Sequence, residues 1–199
     1  QNETATPGYY SVKLDGHDIL VELTATARAG MHRYTFPKTT EANIVIDLNH
    51  RDKLIDYGLR ITSNTTITGW RRSQAWAKDQ IVYFALEFSQ PFTEYASNGT
   101  LKIAFRFDAR SGVPLLAKVG ISSVDIDGAL RNLRTEVNHW DFDKVRSDAT
   151  AAWNAHVLEV ARRRCGGLAA APRSGHMPTR GTSGGRSRRG RGPRRWRGR

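Results

Sequence analysis

Between Val82 and Phe88 the chain reads VYFALEF, and between Leu101 and Asp108 it reads LKIAFRFD. In the first, Val82, Phe84, Leu86 and Phe88 alternate with Tyr83, Ala85 and Glu87; in the second, Leu101, Ile103, Phe105 and Phe107 alternate with Lys102, Ala104, Arg106 and Asp108. A period of two is the spacing at which strand side chains point to opposite faces, so both stretches predict half-buried β-strands. The same alternation runs through Ile19, Val21, Leu23 and Ala25 and through Ile44, Ile46 and Leu48. It is weaker over Tyr9–Leu14, Arg33–Phe36, Leu59–Thr68 and Leu115–Ser123. Turn residues punctuate these runs at Asp15-Gly16, Lys38-Thr39-Thr40 and Ser97-Asn98-Gly99. About eight short strands with no clear helix between them predict an all-β fold, an antiparallel β-sandwich in which one face of each sheet is wet.

Helical spacing enters only after the strands. Asp125 to Val137 carries Ile126, Leu130 and Leu133, and Phe142 to Arg164 carries Val145, Ala149, Ala152, Trp153, Val157 and Val160 at helical steps. Asp141 or Asp143 is a natural N-cap for the second helix. A long helix closing a domain of strands is expected to find little there to pack on, and so to join a following domain. The organisation read from the chain is a sandwich over residues 1–137 with a short helix near 125–137, a linker helix over 138–163, and a disordered Arg/Gly-rich tail over 164–199.

Charge divides the chain more sharply than hydropathy does. Of its 31 Lys plus Arg, 13 lie between Ala161 and Arg199, where there is no Lys and no acid; the preceding part holds 18 against 19 Asp plus Glu. The net charge of +12 therefore belongs to the tail, and the body offers no basic surface for nucleic acid. Cys165, the single cysteine, also lies in the tail, which excludes a disulfide or a thiolate metal site in the body. No run approaches the roughly eighteen apolar residues of a membrane span.

Chemistry is sparse in the body. The six His are scattered without an HxH or HxxxH pair, so no metal ligand set is predicted. No GxSxG, P-loop or GxGxxG is present there. Asp125 with Asp127, and Asp141 with Asp143, are close carboxylate pairs of the kind a glycosidase uses, but both sit where helix starts want acceptors. No catalytic residue is assigned. The densest segment is Gly69-Trp70-Arg71-Arg72-Ser73-Gln74-Ala75-Trp76-Ala77-Lys78-Asp79-Gln80, read as lying between strands. Aromatic faces stack on sugar rings and guanidinium groups bond hydroxyls, which makes Trp70, Arg71, Arg72 and Trp76 the candidate carbohydrate-binding residues. The competing reading has both Trp plugging the core and both Arg pairing with nearby acids.

Six stretches together carry a family resemblance: PGYYSVKL at Pro7–Leu14, VELTATARAGMHRYTFP at Val21–Pro37, NIVIDL at Asn43–Leu48, GWRRSQAWAKDQ at Gly69–Gln80, VGISSVDIDGALRNL at Val119–Leu133 and HWDFDKVR at His139–Arg146. In this order they closely resemble glycoside hydrolase family 92, whose members are calcium-dependent, inverting, exo-acting α-mannosidases. The resemblance runs from Pro7 to about Trp153. It implies that the body is most of the family's N-terminal β-sandwich, that the acid, the base and the calcium ligands belong to a helical (α/α)6 domain expected after Trp153, and that the chain is a truncated piece, inactive alone. The family's opening stretch, which also lines the mannose pocket from the sandwich side, is expected to precede Pro7 and to be missing here. The implied partners are mannose-containing glycans and the missing helical catalytic domain, the implied cofactor is calcium in the full-length enzyme only, and the implied location is periplasmic, cell-surface or secreted.

The tail admits two readings. A GC-rich gene read out of frame yields Arg, Gly, Ala and Pro in excess, which matches Ala161–Arg199 with its 13 Arg and 9 Gly. A genuine Arg-Gly arm would instead neutralise phosphates and stack Trp196 or Arg on bases. The functional expectation is thus a piece of an α-mannosidase, with a carbohydrate-binding sandwich module as the alternative and nucleic-acid binding through the tail, of no specific sequence, as the second.

Overall fold

A computed structural model describes residues 2–97 and 101–166. Asn98 and Gly99 of the expected Ser97-Asn98-Gly99 turn and nearly all of the expected disordered tail lie outside the described residues, and with them the arm proposed to meet nucleic acid. Eleven strands precede two helices: β1 (Glu3–Thr6), β2 (Tyr9–Leu14), β3 (Ile19–Ala25), β4 (Ala29–Thr35), β5 (Ala42–Asp47), β6 (Lys53–Ile61), β7 (Thr66–Gln74), β8 (Gln80–Phe88), β9 (Glu94–Ser97), β10 (Lys102–Phe107) and β11 (Leu115–Ser122), then α1 (Ile126–Glu136) and α2 (Phe142–Gly166). They form an eight-stranded sheet, order β1-β2-β3-β4-β11-β8-β7-β6, facing a three-stranded sheet, order β5-β10-β9. Every pairing is antiparallel. The fold is a β-sandwich with helices after it.

The two stretches with the cleanest alternation are β8 and β10, and they supply the middle of the sandwich. Phe88, Phe105 and Phe107 are buried with Ile67, Leu86 and Leu115 between the sheets. Phe88 meets Phe107 edge-on at 4.8 Å between ring centroids, and Phe92 closes on Phe105 at 5.1 Å. Each such ring contributes about 1.5–3 kcal/mol by leaving water.

The weak Leu59–Thr68 run is not one strand. It is the hairpin between β6 and β7, turning at Thr62–Thr66, where Thr62 N–H donates to Thr66 O at 2.9 Å. Polar Ser63-Asn64-Thr65 supplies the turn, and the apolar residues on either side belong to different strands. The Trp/Arg-rich segment likewise does not lie between strands: Trp70, Arg71 and Arg72 are on β7 itself. Its alternation is hidden because the positions facing the other sheet include Gly69 and Ser73 beside Ile67.

A larger departure concerns the faces. In its middle strands the eight-stranded sheet is not wet on its second side, because Ala29, Met31 and Ala85 there are buried together with Ala129, Leu133, Val137, Phe142 and Val145 from the helices. The expectation that the last helix has little to pack on is corrected by the same residues. Phe142, Val145 and Ala149 of α2 are buried against the sheet, and only from Ala151 to Val160 is every residue exposed. The physical reason is that β4, β8 and β11 are apolar on both sides, so the sheet needs a second cover.

Close backbone approach seats both helices. Gly8 has φ +79, which favours glycine, and a Cβ there would lie 2.9 Å from the Ala149 and Thr150 backbone of α2. A Cβ on Gly120 of β11 would meet Ala129 O of α1 at 2.4 Å. Charged groups lock the contact. Glu22, 6% exposed, accepts two bonds from Arg33 at 2.6 Å and one from Tyr9 Oη at 2.9 Å. Arg33 reaches Asp143 of α2 at 3.0 Å and lies over the Phe142 ring at 4.3 Å. Lys118, 5% exposed, donates to Val137 O beyond the end of α1 at 3.3 Å, pairs with Glu87 at 3.4 Å and sits over Trp140 at 4.1 Å. A cation at a helix C-terminus complements its dipole.

Two outcomes test this docking. Gly120→Ala should cost about 2–3 kcal/mol, since backbone rather than a yielding side chain blocks the methyl, measured by urea denaturation. The Arg33 guanidinium holds the Glu22 carboxyl below its usual range, against burial, which opposes it. Its stabilisation is therefore complete above the ordinary carboxylate pKa and is lost as pH falls through the depressed one. Glu22→Gln should accordingly destabilise the wild-type fold by ~3 kcal/mol at pH 7 and by less on acidification; a constant difference across pH would refute the assignment.

Candidate functional site

The four sequence-derived candidates occupy one hairpin but do not converge. Along β7, Trp70 and Arg72 point to the helix-covered side of the large sheet, while Arg71 points with Ile67 to the other. Trp76 lies in the loop after β7 and is 100% exposed. It therefore does not plug the core, because the loop of residues 75–79 carries it off the end of the hairpin.

Arg71 is held chiefly by backbone. Its Nε donates to Leu48 O at 2.8 Å, and its Nη2 donates to His50 O at 3.1 Å and Arg51 O at 3.3 Å. These bonds hold the β5–β6 connection, in which Arg51 (φ 56) and Asp52 (φ 31) take left-handed backbone that costs non-glycine residues of order 1–3 kcal/mol each. Arg72 forms a bidentate pair with Asp79, Nε to Oδ1 at 2.8 Å and Nη2 to Oδ2 at 2.6 Å, which lowers the Asp79 pKa from its ordinary value. The expectation that both Arg pair with nearby acids describes Arg72; Arg71 instead binds chiefly carbonyls, with Asp52 no closer than 4.0 Å.

Trp70 is the best-placed of the four. Its Nε1 donates to Asp56 Oδ2 at 3.0 Å, and its six-membered ring lies across Gly58, where a Cβ would approach within 2.2 Å of it. Cross-strand register places Gly58 on one side and Tyr83 on the other. Trp70 and Tyr83, with Ile81, floor a cleft of about 510 Å³ whose rim carries Asp56, Asp125 and Asp127. Neither Asp56 nor Tyr83 stood out in the sequence, since only β6–β7–β8 pairing brings them beside Trp70. A second, apolar cavity of about 550 Å³ lies between the β3–β4 turn and α2, walled by Ala25, Ala27, Ala149, Ala152 and Trp153.

The paired carboxylates serve the helices. Asp125 is the N-cap of α1, accepting from Gly128 N at 2.5 Å, and Asp141 accepts from Lys144 N at 2.9 Å at the start of α2. Asp143 is engaged by Arg33 instead. Among the described residues no three His, Cys, Asp or Glu side chains come together to hold a metal ion, so these residues do not fit the calcium implied by the resemblance.

Residues 1–122 match the description "Glycosyl hydrolase family 92 N-terminal domain". The chain belongs to glycosyl hydrolase family 92. The match to the family's N-terminal domain starts at residue 1, six residues before the resemblance read from sequence. A relative described as an uncharacterized secreted glycosidase, from Arthroderma benhamiae, is 28% identical over 186 residues, spanning 75% of this chain and 24% of the relative. Among solved structures, a family 92 α-mannosidase of Bacteroides thetaiotaomicron is 29% identical with a TM-score of 0.69, covering 76% of this chain and 24% of its own. An inverting family 92 mannosidase of the same species, 24% identical with a TM-score of 0.68, shares the fold over 78% of this chain and 23% of its own. The chain thus spans about a quarter of the length of the relatives it matches. Among the described residues no helix is long and apolar enough to cross a membrane.

Truncating Arg71 to Ala should free the β5–β6 connection and destabilise the domain by about 1–3 kcal/mol, whereas Trp76→Ala should leave stability within roughly 0.5 kcal/mol. Thermal melts of the two variants beside wild type decide it; equal losses would mean that the loop residue carries packing it does not have here.

Proposed function

We propose that this chain is the sandwich portion of an exo-acting α-mannosidase, a wall against which a helical catalytic domain closes, and that it does not hydrolyse mannosides by itself. What carries the reading is the match of residues 1–122 to the family's N-terminal domain, together with the shared fold of a family 92 α-mannosidase. The residues agree with it. Inverting hydrolysis needs one carboxylic acid and one carboxylate about 6.5–9.5 Å apart across the sugar. Here Asp125 and Asp141 hold helix N-termini, and Glu22 and Asp143 hold Arg33. Calcium, a feature of the enzyme as a whole in this reading, has no donor set among the described residues, and no step is routed through it here. The substrates are α-linked mannose residues of glycans, and export from the cell is favoured by the relative described as secreted.

The form of α2 suits such a role. Its first two turns are fixed to the sheet, while beyond Ala151 Trp153, Val157 and Leu158 are more than half exposed on a continuing helix. A helix held rigidly at one end and apolar beyond it transmits a defined orientation to whatever packs on its far half.

The test is turnover of 4-nitrophenyl α-D-mannopyranoside with and without added calcium. The chain alone should give no hydrolysis above background, and joining residues 1–153 to the helical portion of a family 92 α-mannosidase should give calcium-dependent release of mannose. Hydrolysis by the chain alone, or a folded but inert chimaera, would remove the proposal.

A further inference from the structure

We infer that the cleft formed by β6, β7, β8 and the first turn of α1 is a binding site for a neutral pyranoside. Nothing in the proposed hydrolytic role requires it, and it stands or falls independently of that role. Its floor is aromatic and preorganised. Trp70 and Tyr83 are direct cross-strand partners, which sets their Cβ atoms roughly 4.5–5.5 Å apart. The indole is held at two points, by Asp56 through Nε1 and by Gly58 beneath the ring. A side chain fixed before a ligand arrives loses no rotamer freedom on binding.

The rim supplies the complementary chemistry. Asp56, Asp125 and Asp127 border the cleft, and ionised carboxylates only accept hydrogen bonds. A pyranose presents an apolar C–H face and a ring of hydroxyl donors, which matches an aromatic floor with acceptors around it. The volume, about 510 Å³, lies within the ~300–1,000 Å³ of small-molecule sites.

Charge narrows the class. Of the cations nearby, Arg72 is committed to Asp79, and Arg131 lies 3.8 Å from Asp125. Three carboxylates with their neighbouring guanidiniums so engaged repel a phosphate, a sulfate or a uronate, which leaves an uncharged sugar. Asp56 already accepts from Trp70, and Asp125 from Gly128 N, so the acids are partly spent and the site is less suited to a bare cation than their number suggests.

The experiment is a titration of the full chain, ¹⁵N-labelled, followed through the indole N–H resonances of its five Trp. The probes are methyl α-D-mannopyranoside, methyl β-D-glucopyranoside and choline. The expected result is a saturable shift of the Trp70 indole with at least one pyranoside, at about millimolar affinity, and none with choline. Trp70→Ala should weaken binding roughly tenfold or more by calorimetry, and Asp127→Asn, at an exposed position that leaves the fold untouched, by about threefold. Trp76→Ala should change nothing. No saturable shift up to roughly 0.1 M sugar, a shift confined to Trp76, an Asp127→Asn variant binding like wild type, or choline in place of sugar would each overturn the inference. None of these readouts depends on hydrolysis, so a failed chimaera in the turnover assay leaves them unchanged.

Discussion

Because β4, β8 and β11 together bury side chains on both faces, the middle of the large sheet has to be covered twice, and the rest of the molecule is arranged around that demand. The three-stranded sheet covers one face through Phe88, Phe105 and Phe107; α1 and the start of α2 cover the other through Leu133, Val137, Phe142 and Val145. A two-layer sandwich would leave Met31 and Ala85 in water. Adding the helical layer buries them, and it makes a helix that follows the sandwich part of its core.

The second interface explains where charge is tolerated inside the fold. Glu22 and Lys118 are nearly inaccessible, and an unpaired buried charge is costly enough to unfold a domain of this size. Each is matched by groups from both layers: Glu22 by Tyr9 and by Arg33, which goes on to Asp143 of α2, and Lys118 by Glu87 of the sheet and Val137 O at the helix end. A displaced α2 would take Asp143 from Arg33, and a displaced α1 would take Val137 O from Lys118. The ionic contacts thus select one docking position among several that apolar contact alone would permit.

That fixed position has two consequences for function. It fixes the start of α2 against the sheet while residues 151–160 of the same helix stay exposed. It also sets the first turn of α1 at the open end of β6–β8, where Asp125 and Asp127 border the cleft floored by Trp70 and Tyr83. β7 serves both sides at once: Arg71 braces the left-handed β5–β6 connection on one face, and Trp70 lies over Gly58 on the other.

How much of this could be read without coordinates follows from the range of each interaction. Alternation in VYFALEF and LKIAFRFD is a property of adjacent residues, so β8 and β10, the sandwich class and the Asp caps of the helices were all visible in the chain. The short edge strands β1 and β9 were not, since their residues are exposed throughout and carry no apolar period. Nor was β7 recognisable as a strand, because Gly69 and Ser73 fill inward positions that pattern reading reserves for large apolar groups. The family was legible from ordered motifs. The grouping of Asp56, Trp70 and Tyr83 was not, as strand register is decided by pairing between segments. By itself, then, the sequence determined the clearest strands, the helix starts and the family; tertiary structure decided that the middle of the large sheet has no wet face, that Arg71 serves the backbone and Trp76 only solvent, and which acids meet Trp70. The division is physical: local patterns depend on neighbours along the chain, whereas covering a second apolar face and setting a register depend on residues brought together only by folding.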